Sequence, residues 1–297
     1  MRDEGVSVVE STRCGCVTGM IPFLSREEVE MLRSWEHVAP IFKRRNKKDD
    51  VSFKDLAYRM IYTQLIKETI DGQLGEDPTI LKTDLWNEGI EVGRDLASGI
   101  CTMKTQLQLV GTDVSTYVCK SALVATDGLF DVVRATTLLP PFREVFDMIV
   151  DPSTVDHMPS RLRDIWIRAE SSLLKENGIL LISFDNKLNM FTELYHRLFT
   201  RKQYPEWTMT PSEVKGLLTR LGFRVIREHA LFVPGLFFGT HRPWFPLSRS
   251  LTRGTVFEFV KRIELSARSR FISFLAPQYV IAARKEAPTT RLGIEGG

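Results

Sequence analysis

Short apolar runs alternate with amphipathic helical stretches from residue 80 to residue 284, and this alternation restricts the chain to an α/β fold built on a parallel sheet. Ile80 to Leu85, Leu107 to Asp113, Val132 to Leu139, Phe146 to Val150 and Gly178 to Phe184 read as strands from their length and apolar content. Arg161 to Leu174 reads as a helix with Leu162, Ile165, Trp166, Ala169 and Leu173 on one face. Lys175-Glu176-Asn177-Gly178 ends it, with Gly178 suited to the left-handed position. Thr210-Pro211-Ser212-Glu213 is a capping box with proline at the first helical position, and the helix it starts is expected to stop at Gly222. Strands from Arg224 to Leu231 and from Gln278 to Arg284 complete the pattern. Before it, Phe53 to Ile70 carries Leu56, Met60, Ile61 and Leu65 at helical spacing.

A chain of 297 residues can bury a full core, and one large domain with additions fits better than two equal ones. The expected divisions are an N-terminal extension and linker over 1–50, a helical cap over 51–78, a main domain over 79–285 with an insertion at 232–270, and a tail over 286–297. Lys43-Arg44-Arg45-Asn46-Lys47-Lys48-Asp49-Asp50 reads as a solvated linker. Forty basic and 37 acidic residues leave a net charge of +3, which makes nucleic acid an unlikely partner. Cys14, Cys16, Cys101 and Cys119 lack the paired spacing of a zinc knuckle, so free thiols and a cytoplasmic location are expected, with no metal. Neither a secretory signal nor a run of membrane-spanning length is visible.

Within this pattern Gln108-Leu109-Val110-Gly111-Thr112-Asp113 is an apolar strand that ends in a carboxylate just before a helix. A carboxylate only accepts hydrogen bonds, and at a strand tip it can take two from the vicinal hydroxyls of a nucleoside. A helix-capping role for the same Asp is the plainer alternative.

The ordered set of segments resembles the class I S-adenosylmethionine-dependent methyltransferases of the small-molecule type, over roughly residues 78–285. The matching pieces are the strand ending at Lys82-Thr83-Asp84, the strand ending at Asp113, the loop Val133-Arg134-Ala135-Thr136-Thr137-Leu138-Leu139-Pro140, the strand Phe146-Asp147-Met148-Ile149-Val150-Asp151, Leu174-Lys175-Glu176-Asn177-Gly178 and Leu221-Gly222-Phe223. The resemblance implies a doubly wound, Rossmann-like sheet of seven strands with an N-terminal helical cap and an insertion between the last two strands. It implies S-adenosyl-L-methionine as cofactor, held by Lys82, Thr83, Asp84, Glu88, Asp113, Val114, Ala135, Thr136 and Asp151. Family members turn after strand one through glycines, which let the backbone approach the ligand closely. Lys82-Thr83-Asp84-Leu85-Trp86-Asn87-Glu88-Gly89 is a Lys-Thr-Asp-Leu variant in which Asp84 or Glu88 would hold the ligand's ammonium group instead; a closed turn on a fold that binds nothing is the alternative. Thr136 stands where an acid often faces the adenine amine, and its hydroxyl can still accept a hydrogen bond.

Asp151-Pro152-Ser153-Thr154 lacks the second proline and the aromatic residue of the nucleobase amino-methyltransferases, which disfavours base methylation. Asp156 and His157 follow the fourth strand, where the family's acceptor meets the methyl donor, and His157 is the candidate general base. A cap on the next helix is the plainer reading of the pair. Residues 232–270 mix aromatic and basic side chains, and Arg242 and Trp244 are the candidate acceptor-binding residues of a lid. A membrane-surface segment and an ordinary packed helix are the alternatives. Methyl transfer to a small-molecule hydroxyl oxygen is therefore the expected function; a non-catalytic binding or scaffold module, or a peripheral membrane enzyme acting on a lipid-linked acceptor, would be the other readings.

Overall fold

Strands form where β-branched and aliphatic residues can be buried on both faces, and here they give seven strands in the order β3-β2-β1-β4-β5-β7-β6. The strands are β1 Thr79–Thr83, β2 Gln108–Asp113, β3 Asp131–Arg134, β4 Phe146–Pro152, β5 Leu174–Asp185, β6 Phe223–Leu231 and β7 Gln278–Lys285. The computed structural model describes residues 26–45, 53–90, 95–104, 106–135, 143–189, 194, 207–231 and 276–286. Its helices are α1 Arg26–Arg45, α2 Phe53–Gln73, α3 Trp86–Gly89, α4 Ala97–Cys101, α5 Thr116–Ala125, α6 Ser160–Leu173 and α7 Pro211–Arg220. No described helix is long and apolar enough to cross a membrane.

Neighbouring residues along the strands divide between two cores. Ile80, Val150, Leu181 and Val280 face α2, α4 and α5, with Ile61, Tyr62, Leu65 and Ile66 of α2 against them. Leu81, Ile149, Leu180, Ile182 and Ile281 face α6 and α7, meeting Leu162, Trp166, Val214 and Leu218. Helix α2 is thus part of the main core rather than a cap laid upon it.

Several expectations change. β7 runs antiparallel between β5 and β6, a direction the alternation of elements left open. An antiparallel neighbour needs no handed crossover, so alternation alone does not fix the direction of a last strand. The chain leaving α6 takes the left-handed conformation at Asn177 (φ 62°) and not at Gly178. Gly178 is needed for another reason, since a Cβ there would sit 2.9 Å from the Lys175 carbonyl oxygen. At the next helix end Gly222 does take the positive φ, 80°. The capping box of α7 is complete: Glu213 N donates to Thr210 Oγ1 at 3.2 Å and Thr210 N to the Glu213 carboxylate at 2.7 Å. Within the segment expected to be extension and linker, residues 26–45 form the 20-residue helix α1, which passes through Pro40 and includes Lys43-Arg44-Arg45.

Candidate functional site at the sheet's switch point

Strand order reverses between β1 and β4, and ligands of such sheets bind at the carboxyl ends of the strands beside that reversal. Thr83 pairs with Thr112 across β1 and β2, so Asp84 and Asp113 project from adjacent strand tips. Asp84 has φ 58°, the left-handed conformation a glycine would otherwise supply. Asp is among the few residues that tolerate it, because its short carboxylate bonds the local backbone. Here Asp84 Oδ1 accepts from Trp86 N at 2.9 Å and holds the turn into α3. Asp113 accepts from Leu85 N at 3.0 Å and from Ser115 N at 2.8 Å, tying the two tips together. Helix α5 is capped by Ser115, whose hydroxyl accepts from Val118 N; the capping reading of Asp113 therefore fails.

Burial dominates the electrostatics of this pair. Burial pushes Asp113 up to about 6, against its two backbone hydrogen bonds. Asp84 is pushed well above the usual carboxylate range by burial and by Asp113, with Lys82 opposing. Lys82, whose charge opposes both shifts, is itself ion-paired. Lys82 pairs with Glu88 at 2.8 Å, both side chains 0% exposed, and its ammonium also donates to the Asp84 carbonyl.

Glu88, expected to share the role of ammonium ligand with Asp84, is given structural work instead. Its Oε1 accepts from Leu96 N (3.0 Å) and Ala97 N (3.2 Å) at the start of α4, while Oε2 faces Lys82 of β1. Thr83 turns its hydroxyl to the Val150 carbonyl at 3.4 Å. Ala135 is buried, with its N–H on the Asp113 carbonyl, and Val114 is half-buried beside Asp113. Asp151 lies inside the core with Trp166 Nε1 at 3.1 Å and Thr154 N at 3.2 Å on its carboxylate. Buried Glu170 is held well above the carboxylate range by burial and by the charge of Asp151. Thr136, Arg242 and Trp244, with the whole insertion 232–270, lie outside the described residues.

Asp156 and His157 do not cap α6, which begins from Pro159 without a side-chain cap. They sit on a 3-10 turn, Val155–His157, at the end of β4. Asp156 Oδ2 accepts from Asp185 N at 3.0 Å, and Oδ1 is 4.0 Å from His157 Nε2. The imidazole is about a quarter exposed and meets Trp35 of α1 edge-on at 5.2 Å. Trp35 also meets Trp86, as does Phe42, at 5.6 and 5.4 Å. Helix α1 thus reaches both halves of the site, an arrangement hidden in a segment whose charges suggest a linker.

No protein-family model and no curated protein matches the sequence. Solved structures do match it. The 4+2 cyclase SpnF aligns over 89% of this chain and 97% of its own at 15% identity, with a TM-score of 0.57. Magnesium protoporphyrin IX methyltransferase (ChlM) from Synechocystis PCC 6803, solved with bound SAH, aligns over 86% and 99% at 14% identity and a TM-score of 0.55. A SAM-dependent methyltransferase from Methanosarcina mazei aligns over 74% and 97% at 15% identity and 0.50. The fold is that of the class I S-adenosylmethionine-dependent methyltransferases, in agreement with the observed strand order. Because a cyclase shares it, the residues have to argue for the reaction.

Proposed function

We propose that this chain is a methyltransferase that uses S-adenosyl-L-methionine to methylate a small molecule at a hydroxyl oxygen. The supporting observation is the pair Asp84 and Asp113 at adjacent strand tips beside the switch point of a methyltransferase fold. A nucleoside joined to an amino acid offers vicinal hydroxyls and an ammonium group, all donors, and two acceptor-only carboxylates match them. Asp113 would take the ribose hydroxyls and Asp84 the ammonium. Val114 and Ala135 would line the nucleoside side.

When bound, S-adenosylmethionine supplies an activated methyl group and the chain supplies orientation and a proton acceptor. His157 would be the side chain that takes the acceptor's proton. It stands at the end of β4, and the neighbouring Asp156 carboxylate would stabilise the imidazolium once the proton has moved. His157 would hold the proton given up by the acceptor hydroxyl.

Calorimetry with S-adenosylhomocysteine tests the reading. Wild-type protein should bind it, and Asp113→Ala should weaken binding at least roughly tenfold, since hydrogen bonds to a charged group contribute about 1.5 to 3 kcal/mol. Absence of heat at millimolar ligand would overturn the methyltransferase assignment. His157→Asn should bind the ligand within about twofold of wild type yet lose roughly 10²–10⁴ in turnover on an acceptor found by screening for methylated products. Undiminished turnover would remove His157 from the chemistry.

A further inference from the structure

Trp35, Ala39 and Phe42 recur at helical spacing on one face of α1, and Ala39 in the middle of that face is 0% exposed. The helix lies against α5, where the Lys43 ammonium stands 5.9 Å from the centre of the Tyr117 ring. Both aromatic ends of the face reach Trp86 edge-on, Phe42 at 5.4 Å and Trp35 at 5.6 Å. Trp86 is itself fixed: its N–H donates to Asp84 Oδ1, and its ring packs against the core that holds α2. From that anchored ring Trp35 extends to the turn after β4. There it meets the His157 imidazole with centroids 5.2 Å apart and planes at 66°. Edge-to-face contact is an arrangement that ring quadrupoles favour, so it sets a direction as well as a distance. A run of three rings thus joins the Asp84 turn to the side chain that would take the acceptor's proton.

We propose that Trp35 is a positioning residue for His157, holding the imidazole in the direction that methyl transfer needs, and that it serves turnover and not donor binding. The inference rests on the methyltransferase reading above, with His157 as the proton acceptor. It also assigns α1 a purpose. The chemistry requires near-attack geometry, in which a misplacement of about 1 Å can cost roughly 10² in rate, and a half-exposed imidazole on a short 3-10 turn gains that geometry from a ring packed against it.

The test compares Trp35→Leu, which keeps an apolar side chain but no ring, with Trp35→Phe, which keeps a ring. On an acceptor found by screening for methylated products, Trp35→Leu should lose about tenfold in kcat, with acceptor KM and S-adenosylhomocysteine affinity within about twofold of wild type. Trp35→Phe should stay within about threefold of wild type in kcat. A second readout needs no acceptor. Proton NMR titration of the ligand-free proteins follows the His157 ring, identified by its absence from the His157→Asn spectrum. Its midpoint should move by about half a pH unit in Trp35→Leu and return in Trp35→Phe, because a ring quadrupole acts on the imidazolium charge and leucine has none. The charged groups around it are the same in all three proteins: Asp156 on its own turn, Asp185 at the end of β5, Arg163 on α6, and Glu36 next to Trp35 on α1. An unmoved midpoint in Trp35→Leu, wild-type kcat in that variant, or equal effects of the two substitutions would each overturn the assignment. So would a tenfold loss of S-adenosylhomocysteine affinity, which would make Trp35 part of the donor site. Failure of the wild-type protein to bind S-adenosylhomocysteine is a different result, one that removes the methyltransferase reading first and the role of Trp35 with it.

Discussion

Asp84 and Asp113 couple the site to protons. Both are raised above their unfolded values, so the empty folded protein holds protons that the unfolded chain has released at the same pH. The sign follows from linkage: their contribution to stability is complete below the unfolded value of about 3.9 and is lost as pH rises, for Asp113 through about 6. A cationic, hydroxyl-bearing ligand reverses the preference, since it favours the ionised carboxylates. Binding of S-adenosylhomocysteine should therefore release protons and tighten between about pH 5 and 7. Calorimetry in two buffers of different ionisation enthalpy measures that release directly. Affinity that stays flat across this range would mean the carboxylates do not face the ligand.

At the scale of elements, the His157 turn is set by a residue of the following helix. Arg163 Nε, on α6, donates to the carbonyls of Val155 (3.1 Å) and Met158 (2.8 Å), and its Nη2 to that of Trp207 (2.6 Å). Trp207 N returns a bond to the Asp156 carbonyl at 2.6 Å. One planar guanidinium thus joins α6, the 3-10 turn and the chain leading into α7, a fork geometry that lysine cannot reproduce. Arg163→Met should destabilise the fold by about 2 kcal/mol, lowering the melting temperature by roughly 4–8 °C, and Arg163→Lys should recover less than half of that. Thermal melts of the three proteins decide; full rescue by lysine would mean that charge alone suffices. Elements of this kind were unevenly legible in sequence. All seven strands and α7 follow from apolar runs and cap chemistry, which are local signals. Helix α1 does not, because Pro40 and the charges at its C-terminal end point away from a packed helix, whereas burial of Ala39 is a tertiary effect. The place of Asp113 at a strand tip was legible because a lone carboxylate at the end of an apolar run is visible in the sequence. Glu88 was misread because nothing local shows that a lysine six residues earlier takes its charge.

In the whole molecule, the two faces of the sheet serve different ends. One buries α2 against β1, β4 and β5 and leads by way of α3 to the Asp84 turn; the other carries α6, its Asp151–Glu170 acid pair and the His157 turn. The two meet at the strand tips, where α1 lies across them through Trp35. The left-handed Asp84 at that meeting point has a consequence for how such a site can change over generations. A single base change converts an aspartate codon to a glycine codon, and either residue accepts φ near 58°. Drift at this position can therefore add or remove a negative charge while leaving the bend of the backbone as it was, so the shape of the turn and the charge of the site are inherited independently.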